Sequence, residues 1–194
     1  LFKFFANVIG LAISFVTQAI IPRGLGPKAY GDFNFLASFF TQVVGFFDMG
    51  TSVGFYTKLS QRPKEQGLAS FYLSFAGLVS LIVLALVVIA YVTSAYERIL
   101  PGQDYRYVFM AAVWGILIWI TGLLGQMADA YGVTVPAERA RMFQRILGAG
   151  VIAALFYTDR LGLSQLFFYH YLILGCMAGA LVLIMKKSGV IRKE

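Results

Sequence analysis

Residues 68–91 read LASFYLSFAGLVSLIVLALVVIAY, 24 positions without one charged side chain. A helix rises 1.5 Å per residue, so about twenty residues cross the hydrocarbon core of a bilayer, and this stretch alone is long enough. Further apolar stretches cover residues 4–21, 34–56, 107–128, 142–157 and 164–185, separated by short polar or charged clusters. The sequence therefore predicts an all-α fold: a polytopic membrane protein with six transmembrane helices, in a single transmembrane domain spanning 1–194.

The 142–157 stretch is the least clean of the six. Its uninterrupted apolar part starts at Ile146, so Arg145 must snorkel toward the headgroups if this helix spans. The polar turn Thr158-Asp159-Arg160-Leu161-Gly162 separates it from the last stretch and argues for two helices. The first stretch, 4–21, exceeds the roughly 7 to 15 residues of a signal-peptide core and lacks a small-x-small site, so it reads as a span.

Composition agrees with this reading. The chain is 59% hydrophobic and 13% charged, with mean hydropathy +0.77, whereas a soluble domain carries about 25% charged residues. The net charge of +7 does not point to nucleic acid, because Lys and Arg gather at the ends of apolar runs and form no basic face. They read as topology determinants. Lys3, Lys58, Arg62, Lys64, Arg139, Arg141, Arg145, Lys186, Lys187, Arg192 and Lys193 fall on one side, against Arg23, Lys28, Arg98, Arg106 and Arg160 on the other. By the positive-inside rule both termini are expected in the cytoplasm. Tyr30, Tyr96, Tyr105 and Tyr107 then fit an interfacial belt at the outer ends.

One cysteine, Cys176, excludes an internal disulfide or a Cys-based metal site within one chain. With one His and no paired carboxylates at useful spacing in a loop, no enzyme, metal or cofactor is expected. The glycines of Gly24-Leu25-Gly26-Pro27 and Gly31 lack the Lys-Ser/Thr ending of a phosphate-binding loop and read as a tight turn.

The connection after the first stretch runs Ile20-Ile21-Pro22-Arg23-Gly24-Leu25-Gly26-Pro27-Lys28-Ala29-Tyr30-Gly31-Asp32-Phe33. It resembles the R-x-L-G-P-x-x-Y-G-x-F connection of polysaccharide-biosynthesis flippases, the O-antigen-type branch of the multidrug/oligosaccharidyl-lipid/polysaccharide exporter superfamily. Phe47-Asp48-Met49-Gly50-Thr51-Ser52-Val53-Gly54 is similar to that family's D-x-G followed by small residues, and Gln126 to Gly132 with Ala140-Arg141 is a fainter echo of its fourth helix. The resemblance implies an N-terminal six-helix lobe of a MATE-like bundle, from a protein of about twelve helices built as two related lobes. It further implies a polyprenyl-pyrophosphate-linked glycan as substrate, a second, C-terminal lobe as partner, and the bacterial cytoplasmic membrane as location. A chain that opens on Leu1 and closes directly after a basic cluster is accordingly expected to be a piece of a longer protein.

Ionisable groups inside a span mark substrate or ion pathways by default. Asp48 is the first candidate: counted from Asn34 it lies about two-thirds of the way across. It either couples protons or sodium, or pairs with Lys58, or caps a break at Met49-Gly50. Asp129, nearer the end of its helix, is a pathway group or a partner of Arg139 or Arg141. His170 titrates near neutral pH when unperturbed and is either a proton site or a satisfied imidazole. Asn7, Gln18, Gln42 and Gln126 bond across helix interfaces or line a sugar-accepting cavity. Arg23 and Arg145 are candidate pyrophosphate contacts or headgroup anchors. Gly45, Gly50 and Gly54 allow close helix approach, and Pro136 to Arg141 reads as a solvated helix start.

Two rival functions stay open at this level. A multidrug or cation antiporter shares the topology and calls for an acidic, aromatic cavity, where a glycan flippase calls for basic and amide groups. A non-transporting membrane scaffold requires only the helices.

Overall fold

The computed structural model describes residues 2–63 and 65–188. Lys64, Arg192 and Lys193, counted above among the basic residues, lie outside the described residues, as do the side chains of Lys3 and Asn7. Among the described residues the fold is all-helical: α1 (Phe2–Leu25), α2 (Pro27–Asp48), α3 (Thr51–Gln61), α4 (Gln66–Val92), α5 (Tyr96–Ile99), α6 (Tyr105–Ala130), α7 (Thr134–Tyr157) and α8 (Leu163–Lys187). Three of these, α4 from Gly67, α6 and α8, are long and apolar enough to cross a membrane. Only 22% of the most apolar window of α4 is buried inside the bundle, and Phe71, Leu81, Ile89 and Val92 face outward. A continuous apolar face of that length needs lipid or protein against it.

Three boundaries differ from the sequence expectation, each for a local reason. The connection expected over residues 22–33 is nearly all helix, because α1 continues through Pro22 to Leu25 and α2 starts at Pro27. Only Gly26 breaks the ladder, at φ 79°, a conformation open to glycine, and Pro27 at the first helical position has no N–H to leave unsatisfied. The stretch 34–56, expected as one helix, is two: Met49 at φ 44° and Gly50 at φ 78° take left-handed conformations between α2 and α3. The stretch 142–157 starts earlier, at Thr134. Arg145 therefore sits halfway along α7 and not at its end.

The core is arranged around α6. At one end of the bundle Val108, Ala111 and Ala112 of α6 pack with Phe33, Leu36, Phe40, Ile152, Leu166 and Phe167. At the other end Leu123, Leu124, Met127 and Ala128 pack with Phe55, Leu59, Tyr72, Met177, Leu181 and Met185. Ile116 joins them through Val44, Val79 and Val83. α1 lies mainly against α7, and α7 against α8.

α2 and α6 touch backbone to side chain at Gly115. A Cβ placed there would lie 3.0 Å from Phe40 Cβ and 3.2 Å from its backbone carbonyl, which cannot swing aside. Gly115→Val is expected to destabilise the bundle by about 1 to 3 kcal/mol through overpacking, read as a lower thermal midpoint in detergent.

Candidate functional site

The α2–α3 break is closed by one carboxylate. Asp48 Oδ1 accepts hydrogen bonds from the Ser52 backbone N–H (3.2 Å) and the Ser52 hydroxyl (2.5 Å). The Thr51 and Tyr72 hydroxyls each stand 3.0 Å from the same oxygen. Tyr72 also reaches Ser52 Oγ at 2.9 Å, and Thr51 donates to the Asp48 carbonyl at 2.6 Å. An Asp side chain accepting the N–H of the second residue of a helix is an N-cap-type contact, and its charge faces the positive end of the helix dipole. Tyr72 comes from α4 and is fixed by a parallel stack on Phe55, with centroids 4.2 Å apart and planes 7° from parallel. Of the three sequence alternatives for Asp48, the geometry forms the cap, with Lys58 on the exposed face of α3. Since α2 begins at Pro27, Asp48 stands at the end of a helix about 33 Å long.

A second constellation is built on α7. Arg141, Gln144 and Arg145 follow one another at helical spacing; Gln144 and Arg145 line two clefts, and Arg141 lines the second of them. The first, of about 310 Å³, lies between α1, α7 and α8 and adds Ser14, Thr17, Gln18, Tyr169 and His170. The second, of about 300 Å³, lies between α6, α7 and α8 and adds Thr121 and Gly122. Two glycines make room for the guanidinium groups. A Cβ at Gly10 would fall 1.6 Å from Arg145 Nη1, and one at Gly125 would fall 2.7 Å from Arg141 Nη2. The arginines differ in charge balance: Arg141 donates to the buried Glu138 carboxylate at 2.6 Å, one turn away. Among the described residues no carboxylate pairs with Arg145, and no Asp or Glu lines either cleft.

His170 is held on three sides. Its ring stacks on Phe33 at 5.3 Å and meets Trp114 and Tyr169 edge-on at 6.0 and 5.0 Å. Nδ1 lies 2.8 Å from the Leu166 carbonyl oxygen. A carbonyl only accepts, so Nδ1 carries the proton and a neutral ring keeps its lone pair on Nε2. In α1, Pro22 has no N–H for the Gln18 carbonyl four residues back, which leaves that oxygen without its helical donor beside the same cleft.

The structure thus brings Gln18, His170 and Arg145 together at one cleft and leaves Asp48, Asp129, Arg23, Gln42 and Gln126 apart from it. Arg23 is exposed at the end of α1 and Gln42 on the outer face of α2. On α6, Gln126 Oε1 and Asp129 Oδ1 are buried without a hydrogen-bond partner. Arg141 pairs with Glu138, not with Asp129. The motif residues Gly24, Leu25, Gly26, Pro27, Tyr30 and Gly31 form the α1–α2 corner, where Tyr30 packs on the core. Sequence reasoning missed Ser52, Tyr72, Gln144 and Tyr169. Gln144 was readable as the third member of a polar i, i+3, i+4 row with Arg141 and Arg145.

Set against known protein families, characterised proteins and solved structures, the chain matches none.

The Asp48 network is open to a direct energetic test. Asp48→Ala is expected to cost about 1 to 3 kcal/mol, the range for orphaning donors at a partly buried site. In a double-mutant cycle with Tyr72→Phe, measured by unfolding in detergent, a coupling of at least about 0.5 kcal/mol is expected. Strictly additive effects would mean the phenol and the carboxylate act separately.

Proposed function

We propose that the chain is one six-helix lobe of an alternating-access transporter that flips a lipid-linked oligosaccharide or polysaccharide precursor across the bacterial cytoplasmic membrane. The six spans are α1, the broken α2–α3 pair, α4, α6, α7 and α8, with both termini cytoplasmic. The observation that carries this reading is the Arg141–Gln144–Arg145 row. It places basic and amide groups, with one guanidinium unpaired, in clefts halfway along a helix of an apolar bundle. Such groups are costly in hydrocarbon and face a bundle interior or a water-filled path. Arg presents a fork of donors that matches phosphate oxygens, which suits a pyrophosphate-linked headgroup.

The lining also favours this reading over its rivals. A drug or cation antiporter calls for acidic groups, and among the described residues none lines the clefts. A scaffold gives no reason to hold a guanidinium in a slot cut by Gly10. In the proposed cycle a second lobe faces the polar clefts, the glycan headgroup enters between the lobes while its lipid tail stays in the bilayer, and rocking of the lobes exposes it outward. A proton or sodium gradient biases the cycle through Asp48 or His170.

In a full-length protein carrying these residues, Arg145→Gln is expected to lower flipping of a pyrophosphate-linked glycan in membrane vesicles at least tenfold at equal protein level. Transport at the wild-type rate would remove Arg145 from the pathway, and Asp48→Asn with an unchanged response to an imposed gradient would remove Asp48 from coupling. Topology has its own test in cells, with Cys176 first replaced by Ser. A membrane-impermeant thiol reagent is expected to label Asp159→Cys from outside, and Glu65→Cys only after permeabilisation. The reverse pattern would refute the orientation.

A further inference from the structure

We propose that the cleft between α1, α7 and α8 is a binding site for a protonated oxyanion of the phosphate class, held by the Arg145 guanidinium and read by His170. The proposal stands whether or not the chain belongs to a glycan transporter.

Three observations carry it. The first is charge. Arg145 lies midway along α7, in a slot that Gly10 keeps open, and no described carboxylate pairs with it or lines the cleft. Arg141, one turn away, has its counterion within the protein at 2.6 Å. A half-buried guanidinium beside apolar walls is favoured by an anionic or strongly accepting partner, and the cleft leaves that place to a ligand. The second is size. A volume of about 310 Å³ has room for one phosphate group with part of its hydration shell.

The third observation chooses among anions. Beside the cationic fork the cleft offers acceptors: Nε2 of His170, whose Nδ1–H is committed to the Leu166 carbonyl, and the Gln18 carbonyl that Pro22 leaves without a helical donor. An anion with no proton of its own meets repulsion from these lone pairs. Hydrogen phosphate, or a phosphate monoester carrying one proton, donates its O–H to one of them while its other oxygens accept from Arg145 and the side-chain amides of Gln18 and Gln144. Sulfate at neutral pH has the same shape without the proton, and an acceptor left without a donor beside the bound anion is what makes such sites discriminate.

The test is equilibrium binding of radiolabelled inorganic phosphate to the full chain in detergent, at fixed ionic strength and pH 7. Saturable binding of one phosphate per chain is expected, displaced by sulfate or chloride only at tenfold or higher concentration. Arg145→Gln is expected to weaken binding at least tenfold. His170→Phe is expected to keep anion binding while losing the preference over sulfate, a change that a merely structural role for the ring does not produce. Each variant is compared at equal helix content by circular dichroism. The wild-type selectivity needs no variant: absence of phosphate binding, or equal affinity for sulfate, overturns the proposal. So does undiminished, still selective binding in both variants. Dihexanoyl phosphatidic acid separates the sources. Competition with phosphate assigns the site to a lipid headgroup, lack of competition assigns it to the free ion, and both support the site.

Discussion

Hydrocarbon offers backbone N–H and C=O groups no water, so each helix that crosses it must satisfy them within itself or from a neighbour. On the proposed reading, in which α2 and α3 form one broken span, this constraint bears hardest on the interruption at Met49-Gly50. Two consecutive left-handed residues stop the ladder, and a non-glycine residue in that conformation costs about 1 to 2 kcal/mol. The break is closed almost entirely by local groups. Met49 N–H reaches back to the Gly45 carbonyl, while Val53 and Gly54 N–H both reach the Gly50 carbonyl. Asp48 takes the Ser52 N–H and Thr51 takes the Asp48 carbonyl. Tyr72 reaches Asp48 and Ser52 from another helix, so the break is tied to α4 as well as to its own ends.

Charge inside the bundle obeys the same rule, and α7 meets it in two ways. Glu138 is buried and would be costly alone, but its bond to Arg141 gives each a partner; removing either strands the other, the expensive outcome for a buried pair. Arg145 has a built place without a counterion among the described residues. The slots at Gly10 and Gly125 explain why glycine stands at two positions where a helix in isolation would prefer alanine. Their value lies in the volume they leave for side chains of a neighbouring helix, not in backbone freedom, since both are ordinary helical residues.

Long apolar runs were legible because the signal is additive over twenty residues. The stretch 68–91 and α4 nearly coincide, as do 107–128 with α6 and 164–185 with α8. What escaped the sequence was local. Gly24, Gly26, Pro27 and Gly31 look like loop residues by type, yet Pro is at home at a first helical position and glycine is tolerated in a helix that packing supports, so the corner shrank to one residue. The interruption at Met49-Gly50 was visible only as an alternative, because a single glycine in an apolar run does not say whether it breaks the helix or packs it. The start of α7 is legible at Pro136 as a helix start, but Glu138, Arg139 and Arg141 lower its hydropathy and make it read as solvated, whereas Ala137 and Glu138 are buried in one helix continuous to Tyr157. Setting the stretch at 142 put Arg145 near its end, and the meeting with His170 is encoded by no spacing along the chain because the two residues stand on different helices.

The polar groups are distributed unevenly around the bundle. α4 turns an apolar face outward along most of its length, whereas the clefts beside α7 collect arginines, amides and hydroxyls from α1, α6, α7 and α8. A molecule surrounded by lipid on every side would have no use for the second surface, since unpaired donors there would face hydrocarbon. Water or protein must lie against it. On the proposed reading that neighbour is a second lobe with a water-filled path between, and the asymmetry of the bundle, apolar where it meets lipid and cationic where it meets the path, is what such a lobe requires. On that reading the same asymmetry explains why Arg145 tolerates the lack of a counterion among the described residues: a guanidinium at the edge of a water-filled path keeps part of its hydration until an anion arrives and exchanges it for a bidentate contact.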